Sequence, residues 1–99
     1  MKKVSELTGE ELDYWVAKAE GMDAHIVVDG GFRPSRRWHD GGPIIEREQI
    51  SLKKGGAGHP WAASKTSDRA FVFYGYGDTP LIAAMRAYVA SKYDQEVEE

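Results

Sequence analysis

Thr79–Tyr93 reads TPLIAAMRAYVASKY, and this stretch decides the fold class because it specifies a helix and implies what that helix packs against. Thr79 or Asp78 supplies the cap, and Pro80 opens the first turn, where its missing N–H has no helical partner to lose. Leu81, Ile82, Met85, Tyr88 and Val89 build one apolar face, while Ala83, Ala84 and Ala87 permit close approach of another layer. A helix is therefore predicted from Pro80 to about Tyr93. Arg86 falls near the rim of its apolar face, where the side chain either snorkels into solvent or is directed to a ligand or carboxylate.

Immediately upstream, Asp68–Tyr76 (DRAFVFYGY) is dense in aromatic and β-branched residues and predicts the longest strand, with one face in the core. Trp61 with Ala62 and Ala63 predicts another strand. Ile50 and Leu52 alternate with Ser51 and Lys53, which predicts a brief one. Between them Lys54–Pro60 (KGGAGHP) has turn chemistry, but the Gly-Lys-Ser/Thr of a phosphate-binding loop is missing. His25–Asp29 (HIVVD), closed by Gly30-Gly31, also predicts a strand.

At the other end of the chain a second helix is predicted from about Gly9 to Glu20. Thr8 and Glu11 have capping-box spacing, Leu7 and Leu12 the spacing of a hydrophobic staple, and Gly21 the place of a left-handed stop. Leu12, Trp15, Val16 and Ala19 form its apolar face, with Glu10, Glu11, Asp13 and Lys18 largely off it. The expected fold is α+β: two helices, about 9–20 and 80–93, on a small, mainly antiparallel sheet of three to five strands, with a long irregular central segment. Ninety-nine residues with 41% hydrophobic content suit one domain, 1–99, with a frayed acidic tail at 94–99 in which Val97 alone can pair with an edge.

The central segment Phe32–Ile50 (FRPSRRWHDGGPIIEREQI) concentrates residues that a core does not need. Pro34 turns Arg33 away from helix, so a loop is predicted through Asp40, followed by one or two helical turns from Pro43 to about Glu48. Arg33, Arg36 and Arg37 have the forked geometry for phosphate or carboxylate, and Trp38 and Trp61 offer faces for a base to stack on. Ser35 adds a hydroxyl, Gly41 and Gly42 expose backbone amides ahead of a helical N-terminus, and Arg47 and Arg86 complete the candidate ligand-binding set. The plainer alternative is a solvated basic loop whose tryptophan plugs the core.

Charge supports a special role for the middle. Residues 30–70 carry eight Lys/Arg against four Asp/Glu, so a net charge of −3 divides into +4 in the middle and −7 in the flanks. A split field steers charged ligands of either sign. It disfavours duplex DNA, whose footprint makes a whole domain basic.

Catalytic constellations are weak. Ser35, His39 and Asp40 have the residue types of a hydrolase triad but crowd one loop without orienting geometry. His39, Asp40 and His59 lack the paired spacing of a zinc site. Glu46 and Glu48 diverge on a helical turn, which argues against paired acid/base work. The expectation is a non-enzymatic protein with no cofactor and no metal. Cysteine is absent, the N-terminus MKKVSELTGEEL has no signal-like apolar run, and no stretch reaches membrane-spanning length, so a cytoplasmic protein without membrane contact is expected.

Three segments, SELTGEELDYWVAKAEG, PSRRWHDGGPIIEREQISL and GDTPLIAAMRAYVASKYDQEVE, closely resemble in that order the landmarks of the NinX-like phage proteins, a family of small phage and prophage proteins. The resemblance spans nearly the whole chain. It implies an accessory protein acting in the bacterial host cytoplasm and no known reaction. Arg36 and Arg37 stand where that pattern commonly carries a polar-acidic pair. On this background the expected function is binding of a small anionic or nucleotide-like molecule by the basic, Trp-containing loop, with sequestration of a host-defence signal as the sharp version. The alternatives are a module that docks on a host or phage protein, with or without self-association, and a single-stranded nucleic-acid binder.

Overall fold

The computed structural model describes residues 1–56 and 58–98, with the side chains of 26–28 outside the described set. Among the described residues the architecture is α+β, with four α-helices, a three-stranded sheet and a two-stranded ribbon, all strand pairs antiparallel.

The C-terminal helix, Pro80–Tyr93, is the hub. Thr79 Oγ1 caps it by accepting from the Ile82 N–H at 3.1 Å, and Pro80 sits in the first turn as expected. The helix buries more than one stripe: Leu81, Ala83, Ala84, Met85, Ala87, Tyr88, Val89 and Ala90 are all buried. A helix apolar nearly all round belongs inside a molecule. Its neighbours are the helix Gly9–Ala19 (α1), the helix Trp38–Glu48 (α3) and the sheet, so it is α4 in chain order.

The sheet runs β2 (Ser51–Lys54), β3 (Trp61–Thr66), β4 (Val72–Gly77), in that spatial order, as two consecutive hairpins. Contact between α4 and β4 requires glycine. A methyl group added at Gly75 would fall on the backbone of Ala83 and Ala87, and one at Gly77 on the Ile82 side chain. The helix backbone therefore lies directly on the strand, using the alanines that the sequence sets aside for close approach. The expected strand 68–76 is shorter at its start. Residues 67–71 form the turn of the hairpin, closed by Ser67 N–H to Phe71 O (2.7 Å) and Ala70 N–H to Ser67 O (2.9 Å), with Ala70 in the left-handed region at φ 67°. β4 is thus no longer than β3.

α1 ends as predicted: Gly21 is left-handed at φ 77°, with Gly21 N–H bonded to Lys18 O and Met22 N–H to Ala17 O, a Schellman closure. Thr8 occupies the N-cap position but its side chain makes no capping bond, and Glu11 pairs instead with Lys2 Nζ at 2.7 Å. Trp15, expected in the core, is half-buried, packed edge-on against Tyr93 at 5.3 Å with Lys18 Nζ over its ring.

Two expectations are corrected. The segment predicted as a strand at His25–Asp29 is a short helix, α2, over Ala24–Asp29. The β-branched run expresses only a weak preference, and the Gly21 turn sends the chain straight back onto α1, where Ala24 is buried against Ala17 beneath Tyr14 and Phe32. The loop predicted through Asp40 ends early, because α3 begins at Trp38 and carries Pro43 in its interior. Gly41 explains this. A side chain there would collide with the Pro34 carbonyl and the Leu81 side chain, so glycine lets the first turn of α3 seat against both. That seating offsets the roughly 1 kcal/mol by which a helical glycine falls short of alanine. α3 stops at Gln49, left-handed at φ 54°, with Ile50 N–H returning to Ile45 O at 3.0 Å.

Finally, Lys2–Lys3 (β1) pairs with Glu96–Val97 (β5), and Val4 N–H donates to Gln95 O at 2.8 Å. The tail expected to fray thus carries a strand whose Val97 is buried in the main core.

Candidate functional site

The turn at residues 33–37, entering α3, carries the candidate ligand-binding arginines of the sequence, and there Arg33 is half-buried, Arg36 is committed to a buried carboxylate and Arg37 is exposed. Asp13, on α1, is fully buried. Its Oδ1 accepts from the Ser35 backbone N–H at 2.8 Å, and its Oδ2 accepts from Arg36 Nε at 3.1 Å and Nη2 at 2.8 Å. A buried carboxylate needs such partners, since transfer from water without them is prohibitive. Arg36, itself partly in solvent, is thereby the counter-ion of a buried acid. Asp40 reaches back to the Arg33 N–H at 2.9 Å, closing the turn from the other side. Asp13 is the residue that sequence patterning missed. Its spacing of three and four positions from Val16 and Ala17, both buried, was a signal, but an acid there reads more simply as solvated.

Gly41 and Gly42 do not offer free amides. Both lie inside α3, and Gly41 N–H donates to Arg37 O at 2.9 Å. Arg37 and Trp38 remain exposed at the head of α3, and Trp38 keeps 54% of its surface in solvent. Trp61 sits elsewhere, half-buried against the core at the start of β3. None of the four main grooves of the described surface includes Trp38, Trp61, Arg33, Arg36 or Arg37. Two buried atoms of this turn, Arg33 Nη1 and Ser35 Oγ, make no hydrogen bond.

Arg47 belongs to a different constellation. Its guanidinium forks onto both carboxylate oxygens of Glu20, while its Nε donates to Glu48 Oε2 at 2.7 Å. Tyr88 donates its hydroxyl to Glu20 as well. Burial pushes the Glu20 carboxyl up, but the hydrogen bonds from Arg47 and Tyr88 outweigh it and hold the group below its ordinary value. Glu48 behaves alike: burial raises it, and Arg47 with Lys65 brings it down further. Burial, reinforced by the bond to Glu20, raises the Tyr88 phenol. The triad ties α1, α3 and α4 together.

Arg86 is half-buried and committed to two backbone carbonyls. Its Nε donates to Leu7 O at 3.1 Å and its Nη1 to Tyr76 O at 2.6 Å. Desolvation lowers its pKa, partly countered by Asp78. It stitches the N-terminal segment to the outer edge of β4.

That edge is the unusual surface. Residues opposite one another across antiparallel strands share a face. Register therefore puts Lys53, Ala62 and Tyr76 in one row, Ser51, Ser64 and Tyr74 in the next, and Thr66 and Val72 in a third, all on the side away from α4. Val72, Tyr74 and Tyr76 are exposed, as is Phe71 in the preceding turn at 64%. Beside β4 runs a groove of about 330 Å³ lined by Val4, Ser5, His59, Arg86, Gln95 and the strand itself. A shallower hollow of about 630 Å³ continues across the sheet between Lys53, Lys54, His59 and Tyr76. The His59 and Tyr76 rings are 5.6 Å apart between them.

No helix of the described residues is long and apolar enough to cross a membrane. Comparison with curated proteins finds no match. A family model does match, described as Bacteriophage P22, NinX, over residues 3–92, a span that takes in α1, the turn at 33–37, the sheet and nearly all of α4; the chain belongs to that phage family.

Proposed function

We propose that this phage protein works as a non-enzymatic binding module whose docking surface for a host or phage protein is the outer face and open edge of β4. The supporting observation is the row of Val72, Tyr74 and Tyr76 exposed on an edge strand, with Phe71 beside it. Soluble proteins normally blunt such edges with charge, proline or cover, because unpaired strand groups beside apolar side chains invite association. Tyrosine adds large contact area with little side-chain entropy to lose, and it is enriched among residues that dominate interfaces. The test is capture of partners from phage-infected cells by tagged wild-type protein and by the double variant Tyr74→Ser/Tyr76→Ser. A stoichiometric partner held by the wild type is expected to be lost from the variant, a loss of about 2–4 kcal/mol in binding, with the melting temperature unchanged. Equal retention by both proteins would sink the proposal.

A second reading keeps an anion at the turn of residues 33–35, favoured by the buried, unpaired Arg33 Nη1 and Ser35 Oγ. Ser35 is almost fully buried, which fits a small ion better than a nucleotide. Thermal-shift titration with phosphate and with mono-, di- and cyclic nucleotides separates the cases. Stabilisation by phosphate that Arg33→Gln removes supports the ion, and no shift with any of them ends the idea. A response to cyclic nucleotides alone would restore sequestration of a host-defence signal.

A further inference from the structure

Resting on the partner-binding reading above, we infer that the partner enters as an extended acidic segment, added as a fourth strand along the open edge of β4. Three observations carry this. First, among the described residues no strand pairs with this edge, and its direction is known. Tyr76 O accepts from Arg86 on the side of β4 away from β3, and the N–H and C=O of one residue point the same way in an antiparallel strand. Tyr74 and Val72, two and four residues away, therefore present their backbone groups along that same edge. Second, space for a strand lies beside it, in the groove between β4 and the segment at Val4 and Ser5.

Third, the lining is one-sided in charge, with Asp78 acting on Arg86 from outside it. Neither the groove nor the adjoining hollow is lined by a carboxylate, and their ionisable side chains other than tyrosine are His59, Arg86, Lys53 and Lys54. The groove at the far end of the hairpin, by contrast, mixes Lys65, Arg69 and Lys92 with Glu48, Asp68 and Asp94. Arg86 gives the surface a built-in switch of partner: its Nη1 now occupies an edge carbonyl, and an incoming carboxylate takes that donor while an incoming N–H takes the carbonyl. A second copy of this chain fits less well, since β4 pairing with itself would bring two copies of Arg86 together at the shared edge. Single-stranded nucleic acid could stack on Tyr74 and Tyr76, but it has no backbone that continues a strand ladder.

The experiment follows backbone amide resonances of the whole chain on addition of four probes. They are a capped hexapeptide alternating glutamate and valine, its lysine–valine counterpart, the acidic peptide with a central proline, and an oligothymidylate. The acidic peptide is expected to shift Val72, Tyr74 and Tyr76 and to slow their hydrogen exchange, with weaker binding at high salt. The proline peptide should bind at least about tenfold more weakly, because it removes a ladder donor. Lys53→Glu/Lys54→Glu, both exposed in the native chain, should weaken the acidic peptide by only about twofold to threefold at unchanged melting temperature, because β2 lies two strands from the edge of β4 and exposed charges are screened over that span. Equal binding of the lysine peptide, shifts confined to other elements, or a response of β4 to oligothymidylate alone would each overturn the inference. If no peptide binds while Tyr74→Ser/Tyr76→Ser still abolishes partner capture, acidic strand addition fails and the broader partner-binding proposal survives. If capture also survives those substitutions, both fall.

Discussion

Asp13 and Arg36 show how far one burial changes the meaning of a residue. By type and position Arg36 stood among the arginines available to an anion. In the folded chain it neutralises a carboxylate with no solvent exposure, while Arg37 beside it stays in water. The pair is partly open on the Arg36 side, so its Coulombic worth is discounted by solvent. The larger effect lies in what removal leaves behind: a buried acid with only the Ser35 N–H for company. Arg36→Ala is expected to lower unfolding stability by about 1–3 kcal/mol, and Arg37→Ala by no more than about 0.5 kcal/mol. Urea denaturation of the two variants checks this, and coincident midpoints would remove the counter-ion role.

Elements are decided by what they lie on as much as by their own propensities. α4 was legible in full, from its Thr79 cap to Tyr93, because cap, proline and apolar spacing agree. The β2–β3 hairpin was legible from alternation around a glycine-rich turn. α2 and the first turn of α3 were not, since each depends on contact with a distant element: Ala24 on Ala17, and Gly41 on Pro34 and Leu81. Packing of α4 on β4 is equally specific. Gly75→Ala would drive a methyl group into the main chain of Ala83 and Ala87, atoms that cannot rotate away. Overpacking of this kind costs typically 1–3 kcal/mol, so a loss of about 3 kcal/mol is expected from calorimetric or chemical unfolding. A stability equal to wild type would mean that helix and strand can separate without penalty.

Over the whole molecule, the charge split seen along the chain becomes a set of bridges. Acids of the N-terminal helix meet basic residues of the middle, with Asp13 on Arg36 and Glu20 on Arg47. The Glu20, Arg47 and Tyr88 triad predicts the pH profile of folding. Glu20 and Glu48 titrate below their ordinary value of 4.5 in the folded chain. The unfolded chain then takes up protons first as pH falls, and the stability these groups contribute is lost in acid, below about pH 4.5. Tyr88 and Tyr93 hold their protons above the ordinary value of 10.0, so the unfolded chain releases them first and stability falls again above about pH 10. Urea midpoints across pH should show a plateau between these limbs. Glu20→Gln should flatten the acid limb, and an unchanged limb would show that Glu20 is not what the acid attacks.

What the sequence by itself determined was the material: two helices near the ends, strands in the second half, a cysteine-free chain whose middle is basic, and a pattern recognisable as that of a phage family. Those features are local or compositional, and local chemistry is enough to specify them. Only the tertiary structure decided which charges are spent on one another. Arg36 and Arg47 look like ligand contacts by their forked groups, Ser35 by its hydroxyl beside them, and Arg86 by its place at the rim of a helix face. Their partners Asp13, Glu20, Leu7 and Tyr76 lie 22, 27, 79 and 10 residues away, separations no spacing rule encodes. The candidate surface itself moved for the same reason. The outward side of β4 is exposed because α4 covers the other side, and a single strand in a sequence does not say which of its two faces will be left in water.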